Sequence, residues 1–441
     1  MSTDFWAGVL RDSWGVEAAL TRLDGEYDLN FLAETADGTG YVLKAMRPGC
    51  PPALVDMQTQ ALARLTEAGL PFPKVIPAAA GALSCRLPDP EGNDRIVWLM
   101  ARLEGRCYAK AAPKTLELIR ELGGILGRTA KVLDGFDHPG LPEEFKWNLM
   151  QAGWITPKLE CITDPARRGI LESICADFAA VAAGLTALPH QAIHNDANDY
   201  NILVTGELSA PRRISGLIDL GDMCVAPKVC DLAIAAAYIV LDHPEPEQAL
   251  AALTAGYHAE NPLTAQEVAL IYPLMRMRLA VSIVNSTLVA ADHPDDPYVL
   301  ISQAPAWRFL EGHDLNADLV TARLRVACGL PLVAGADRVL TFLETESGRF
   351  APLMDDDLSD APMGSLSVEE GTWPQNPFDM PLAEAARVGE EFGEGLWLGY
   401  YGEPRLIYTA PAFRKGPWQA SNRRTVHLGV DIFAPAGRGV Q

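Results

Sequence analysis

The chain has 441 residues, 49% of them hydrophobic and 21% charged, with a formal net charge of −21. That balance describes a soluble globular protein of more than one structural unit, and it argues against nucleic-acid or anionic-membrane partners, which need concentrated Lys and Arg. No leader is visible in MSTDFWAGVL, the longest apolar run (Leu232–Leu241) is ten residues and too short to span a bilayer, and the eight cysteines form no Cys-x-x-Cys pair, so we expect a cytoplasmic chain with free thiols.

In chain order, residues 20–48 read as strands joined by turns, with ADGTG (36–40) supplying hairpin chemistry before YVLK. A helical pattern follows Pro51-Pro52, with Leu54, Met57, Ala61, Leu62 and Leu65 on one face and Gly69 and Pro71 ending it. RIVWLMARLEG (95–105) is a further strand, so residues 1–105 form a β-rich, nucleotide-binding N-lobe with one prominent helix. Residues 106–332 are mainly helical, with patterns at 115–134, 170–187, 228–241, 246–259, 265–290 and 315–328. Thr264 and Glu267 have the spacing of a capping box. Only NILV (201–204) and ISGLID (214–219) read as strands inside this lobe, which makes the chain α+β with two lobes and a cleft. Residues 333–395 are acidic and rich in Pro, Ser and Gly, as a linker or a loosely packed excursion would be, and 396–441 regain strand character as a partial β-rich segment.

One stretch carries the chemistry. AIHNDANDYNILV (192–204) sets two aspartates, three asparagines and a histidine before an apolar run. Such crowding is unfavourable unless a cation or ligand sits among the groups, the alternative being a loop rich in turn formers. His194-x-Asp196-x-x-x-x-Asn201, followed by Asp219-Leu220-Gly221, has the spacing of a kinase catalytic loop. Phosphoryl transfer asks the protein for an aligned hydroxyl and neutralised phosphate charge. Asp196 is then the catalytic base, Asn201 and Asp219 the oxygen ligands of Mg²⁺, and His194 a brace for the loop.

Lys44, ending YVLK, matches the strand lysine that pairs with the phosphates of ATP or GTP. Its usual partner is a helix Glu; here the helix offers Gln58 and Asp56. No glycine-rich phosphate loop occurs, so LDGEYDLNF (23–31), with Gly25, is the candidate cover, and WLMARLEG (98–105) the candidate hinge. For a substrate ammonium the candidates are Asp222, Asp199 and Glu104; for a substrate carboxylate, Arg276 or Arg278; for a pocket wall, Trp147.

Residues 15–330 resemble the aminoglycoside phosphotransferase/choline kinase family, nearest its hydroxylysine kinase branch, through YDLNFL (27–32), YVLK, FKWNL (145–149), HNDANDYNIL, IDLGDM (218–223) and CDLAIA (230–235). The resemblance implies a two-lobe protein-kinase-like fold, Asp231 as a structural acid under the catalytic loop, and GTP as a possible donor. It also implies phosphorylation of a hydroxyl on a small amine-bearing substrate, 5-hydroxylysine first, with ethanolamine, choline or an aminoglycoside as alternatives. Asn195 stands where the family has glycine, and Asn148 where it often has Asp. VHLGVDIFAPAGRGV (426–440) resembles the start of a lysostaphin-type zinc-peptidase domain, in which His427 and Asp431 match two metal ligands. The later His-x-His of that family is not reached, so we expect no catalytic zinc here and further domains in the native protein. In bacterial proteins resembling this one, an aminotransferase-like domain often follows. That leaves a non-catalytic nucleotide-binding module of a phospho-lyase protein as the rival reading.

Overall fold

The structure is a computed structural model that describes residues 3–23, 25, 28–206, 211–292, 303–312, 315–333, 335–369, 373–374, 376, 378–389, 395–409, 413 and 426–440. The chain divides into two compact units, Met1–Asp337 and Arg338–Gln441.

The first unit opens with helix α1 (Thr3–Trp14), then β1 (Ala19–Leu23), β2 (Leu29–Glu34), β3 (Gly40–Ala45), α2 (Pro52–Glu67), β4 (Val75–Ile76), β5 (Cys85–Pro88) and β6 (Asp94–Ala101). The strands make one antiparallel sheet in the order β1-β2-β3-β6-β4, with β5 also on β6. The expected turn at 36–40 closes β2 on β3, the Thr35 N–H donating to the Thr39 carbonyl at 3.0 Å. Strand alternation sorts the two faces. Phe31, Ala33, Leu43, Ala45, Val97 and Leu99 point one way and pack with Trp6, Leu10 and Trp14 of α1, a helix that sequence patterning left unassigned. Met46, Ile96 and Trp98 point the other way, into the core that includes Met57 and Leu62 of α2. Lys44, in register with Asn30 and Trp98, lies between the α1-facing residues Leu43 and Ala45 and so belongs to this second face.

At the β5–β6 turn, Asp89 accepts the Glu91 and Asn93 backbone N–H groups at 3.0 and 2.9 Å and the Arg95 Nε at 2.6 Å. Arg95 also donates to the Met46 carbonyl at 3.0 Å, tying the hairpin to the end of β3.

The helical lobe follows with β7 (Arg106–Cys107), α3 (Leu116–Leu133), a 3₁₀ segment (Leu149–Cys161), α4 (Pro165–Thr186), β8 (His190–Ile193), β9 (Ile202–Thr205), β10 (Arg213–Leu217), β11 (Cys224–Pro227), α5 (Lys228–Ile239), α6 (Pro246–Glu260), α7 (Ala265–Asp292), α8 (Gln303–Gly312) and α9 (Ala317–Ala327). The helix starts are set by side chains. Asp164 accepts the Ala166 and Arg167 N–H groups, which brings α4 in ahead of its expected start, and Thr264 and Glu267 exchange the capping-box bonds at 2.7 and 3.2 Å. α3 and α6 touch backbone to backbone, because a methyl at Gly123 would meet the Leu253 carbonyl at 2.1 Å and one at Gly256 the Arg120 carbonyl at 2.0 Å. Beyond Lys228 and Asp231 in its first turn α5 is apolar on all sides, and every residue from Val229 to Ile239 is buried, which makes it the centre of the lobe. Among the described residues α4 alone is long and apolar enough by composition to cross a bilayer; its Leu171, Ile174, Phe178 and Leu185 are buried in the helical core. β9 pairs with β10 as the hairpin expected of NILV and ISGLID, and also with β7, while β8 pairs with β11 in a second antiparallel ladder that the sequence did not suggest. The loop between β8 and β9 holds residues 194–201.

The second unit contains α10 (Ala336–Thr345), which begins at the division, β12 (Met363–Gly364), α11 (Met380–Arg387), β13 (Trp397–Gly399), β14 (Glu403–Pro404), β15 (Val426–His427) and β16 (Ile432–Phe433). β12 joins β13 and β16 in one sheet, and Met354 bridges to Val440. The division falls within the 333–395 segment expected as a linker, and from Arg338 onward the chain shares a unit with the tail.

Candidate active site

The catalytic loop is built on α5. Asp231, in its first turn and 1% exposed, accepts the backbone N–H of His194 at 3.2 Å and of Asn195 at 2.8 Å. Asn195 sits at φ 67°, the left-handed region for which glycine is the easy choice and Asn a tolerated one, and its amide donates to the Asp222 carbonyl at 3.0 Å. His194 Nδ1 accepts the Asp196 N–H at 3.2 Å. Burial pushes the His194 pKa down, so the ring is neutral and braces the loop.

The asparagines resolve the crowding. Asn198 Oδ1 accepts the N–H groups of Tyr200 and Asn201 at 2.8 and 3.1 Å, while its Nδ2 donates to Asp196 Oδ2 at 3.0 Å. Asn201 Nδ2 donates to the same oxygen at 2.8 Å and to the Asp196 carbonyl at 2.9 Å. Ile218 N–H donates to the Asn201 carbonyl at 3.0 Å, which seats Asp219 beside Asn201 across the β9–β10 ladder. Asp219, at φ 65°, accepts the Gly221 N–H at 3.1 Å and lies 3.5 Å from Lys44 Nζ.

These contacts leave Asn201 Oδ1 and Asp219 Oδ2 without a hydrogen-bond donor among the described residues. A carboxamide and a carboxylate oxygen are hard donors of the kind Mg²⁺ takes, the ion using one or two protein ligands and completing its shell with water and phosphate. The donor set therefore fits the ion.

Lys44 is 9% exposed and has two carboxylate neighbours, Asp219 and Asp28, each at 3.5 Å. Burial works against its charge, but the two carboxylates outweigh burial and hold its pKa above the ordinary lysine value. Lys44 in turn lowers the pKa of Asp219. The expected helix partners do not serve. The Asp56 carboxylate is 60% exposed and lies 3.2 Å from His138, while Gln58 is buried with its Nε2 unpaired. Asp28, missed in the sequence, takes their place. It was findable: Lys44 faces Asn30 in the β2–β3 register, and residue 28 lies one side-chain repeat away on the same face.

Asp196 presents its other oxygen, Oδ1, to the Arg278 guanidinium at 2.9 Å. Burial raises the Asp196 pKa to about 7 against the pull of Arg278, with Asp222 and Asp219 adding to the rise. Arg278, expected as a clamp for a substrate carboxylate, is spent on the catalytic loop. Arg276 points elsewhere, to Asp177 at 2.7 Å. Trp147 stacks on Arg278, its ring centroid 4.7 Å from the guanidinium carbon. Asp199 lies near Lys114, and its pKa is raised to about 6 by burial. Asp222 feels the charges of Asp196 and Arg278. The Glu104 carbonyl accepts Ser215 Oγ at 2.6 Å and holds the expected hinge against β10. A Cβ at Gly25 would meet Asn30 Nδ2 at 2.4 Å. The remainder of the expected phosphate cover at 24, 26 and 27 lies outside the described residues.

In the second unit His427 Nε2 lies 3.2 Å from Asp431 Oδ1, His427 Nδ1 is 2.6 Å from Tyr408 Oη, and Asp431 Oδ2 accepts Arg405 at 2.6 Å. A catalytic zinc needs three protein ligands, and no group of three His, Cys, Asp or Glu that could hold a metal occurs among the described residues. The pair alone does not fit the ion.

A lysine from a β-lobe meeting an aspartate of a helical lobe, beside a braced Asp-x-x-x-x-Asn loop, defines a phosphotransferase with a protein-kinase-like α+β fold. The chain belongs to the phosphotransferase enzyme family, the aminoglycoside phosphotransferase group, which its residues 19–268 match; it is a small-molecule kinase. It is 28% identical to the hydroxylysine kinase of Mus musculus over 294 residues, 63% of this chain and 77% of the relative. It is 29% identical to a homoserine kinase of Pseudomonas aeruginosa over 293 residues, 65% of this chain and 83% of the relative. Among solved structures, a microcompartment-associated aminopropanol kinase shares the fold with a TM-score of 0.54 at 20% identity, covering 75% of this chain and all (100%) of the other. An amicoumacin kinase in complex with AMP-PNP and Ca²⁺ does so with a TM-score of 0.54 at 14% identity, covering 71% and 94%.

Proposed function

We propose that the protein transfers the terminal phosphate of GTP or ATP to the hydroxyl of a small amine-bearing substrate, with 5-hydroxy-L-lysine the first candidate. The observation that carries this reading is the 2.8 Å bond from Asn201 to Asp196, with Asp219 seated next to Asn201 and against Lys44. It gathers base, metal ligands and phosphate-binding lysine from three separate parts of the sequence.

In this reading Asp196 accepts the hydrogen bond of the acceptor hydroxyl and takes its proton as the new O–P bond forms. Asn201 and Asp219 hold Mg²⁺ through the two oxygens left over, and the ion neutralises phosphate charge when bound. Lys44 binds the donor phosphates, and its charge keeps Asp219 ionised. Asp222, Asp199 and Trp147 line the acceptor side. A nucleoside triphosphate donor suits a cytoplasmic setting. Substrate class is supported by the names of the relatives, hydroxylysine and homoserine kinases, and by the aminopropanol kinase fold neighbour, which all pair a hydroxyl with an amine.

L-Homoserine is the second candidate, because the Pseudomonas relative matches as closely in identity as the mouse one. The test is a panel of 5-hydroxy-L-lysine, L-homoserine, 1-amino-2-propanol, ethanolamine, choline and an aminoglycoside with Mg²⁺ and each donor, read by phosphorus NMR. Turnover of 5-hydroxylysine above the others supports the first candidate. Nucleotide binding without turnover of any acceptor would favour the non-catalytic module.

A further inference from the structure

Asp196 has four lone-pair positions on its two carboxylate oxygens. Both on Oδ2 are taken, by Asn198 at 3.0 Å and Asn201 at 2.8 Å, and one on Oδ1 is taken by Arg278 Nη2 at 2.9 Å. A single acceptor position remains, on Oδ1. Which one remains is decided by the guanidinium.

That guanidinium is fixed without help from Asp196. Arg278 rises from α7 and is 2% exposed. Its Nε donates to Tyr238 Oη of α5 at 3.2 Å and its Nη1 to the Trp147 carbonyl at 3.4 Å, while the Trp147 ring covers its face at 4.7 Å. Three elements thus aim one N–H at one oxygen. A buried ion pair of this kind rarely stabilises a fold more than apolar residues of equal volume would. A lysine would bring the charge as a mobile point without the planar fork.

We propose that Arg278 is the positioning residue of the phosphoryl-transfer site: it locks the Asp196 carboxylate in one rotation and leaves a single Oδ1 lone pair directed at the acceptor hydroxyl. The inference rests on the reading of Asp196 as the base. It assigns Arg278 to the catalytic loop in place of a substrate carboxylate, so its removal should act on kcat.

The experiment compares wild type, Asp196→Asn, Arg278→Ala and Arg278→Lys with the best acceptor of the panel, and measures nucleotide affinity of each by calorimetry. Arg278→Ala should lose about 100-fold in kcat, since small misplacements of a reacting group cost on that order, with nucleotide affinity within about twofold. Millimolar guanidinium should restore part of the lost kcat in Arg278→Ala and none in Asp196→Asn. Arg278→Lys should fall between wild type and Arg278→Ala, and it decides the matter if the alanine variant does not fold. A kcat unchanged in either variant overturns the inference, as does a loss confined to the acceptor KM or one that guanidinium leaves untouched. Full activity in Asp196→Asn instead overturns the reading of the site itself.

Discussion

Two aspartate–arginine pairs in the first unit, one buried and one part-buried, look alike and behave oppositely. At the β5–β6 turn, Asp89 meets Arg95 at 2.6 Å and its pKa is held down to about 2, chiefly by that bond and then by the backbone N–H groups of Asn93 and Glu91. In the catalytic loop, Asp196 meets Arg278 at 2.9 Å, yet its pKa is raised to about 7. The partner is the same; the surroundings differ. Asp89 closes a turn of backbone donors, whereas burial works against the Asp196 charge more strongly than Arg278 supports it, and the charges of Asp222 and Asp219 add to the rise. A structural pair is balanced within itself. A carboxylate whose pKa is pushed up by burial and neighbouring charges, despite an arginine partner, marks a candidate functional site.

The comparison can be broken most decisively at its catalytic member. Asp196→Asn should lower kcat by about 1,000-fold or more while nucleotide affinity, by calorimetry, stays within about twofold; undiminished turnover would erase the distinction drawn above. Next in size, Asp219→Asn should weaken nucleotide binding about 100-fold in Mg²⁺ and leave binding in excess chelator unchanged. Asp231→Ala strands two buried N–H groups and should cost about 3 kcal/mol of stability in thermal or denaturant unfolding. The smallest effect sharpens the structural side. Asp89 is more acidic folded than unfolded, so its contribution is present above about pH 4 and fades as pH falls toward about 2. Asp89→Asn should therefore melt below wild type at pH 7, by a few degrees, and the gap should narrow across that acid window.

Much of this site could be read from the chain because its signals are local. The spacing of His194, Asp196 and Asn201 lies within one loop, and Asp219 returns on the adjacent strand of a hairpin. The Thr264–Glu267 cap is likewise contained in four residues. What escaped depends on contacts that sequence spacing does not encode. Arg278 finds Asp196 across 82 positions, and nothing in MRMRL distinguishes it from Arg276, which pairs at the surface with Asp177. Lys44 takes Asp28 in preference to the helix side chains, because strand register puts Asp28 on its face while Asp56 turns outward to His138. α1 was overlooked because Trp6, Leu10 and Trp14 make a short stripe whose purpose appears only when the sheet it covers is in place. Composition marks 333–395 only as polar and proline-rich, and it cannot foresee β12, which forms where β13 accepts it as a partner strand.

The tether from Asp231 to the catalytic loop has a mechanical consequence. Because the loop hangs from the most enclosed helix of its lobe, it cannot shift without dragging the hydrophobic interior along. Displacing the loop therefore costs more than its own hydrogen bonds, because the helix that carries Asp231 is packed along its whole length.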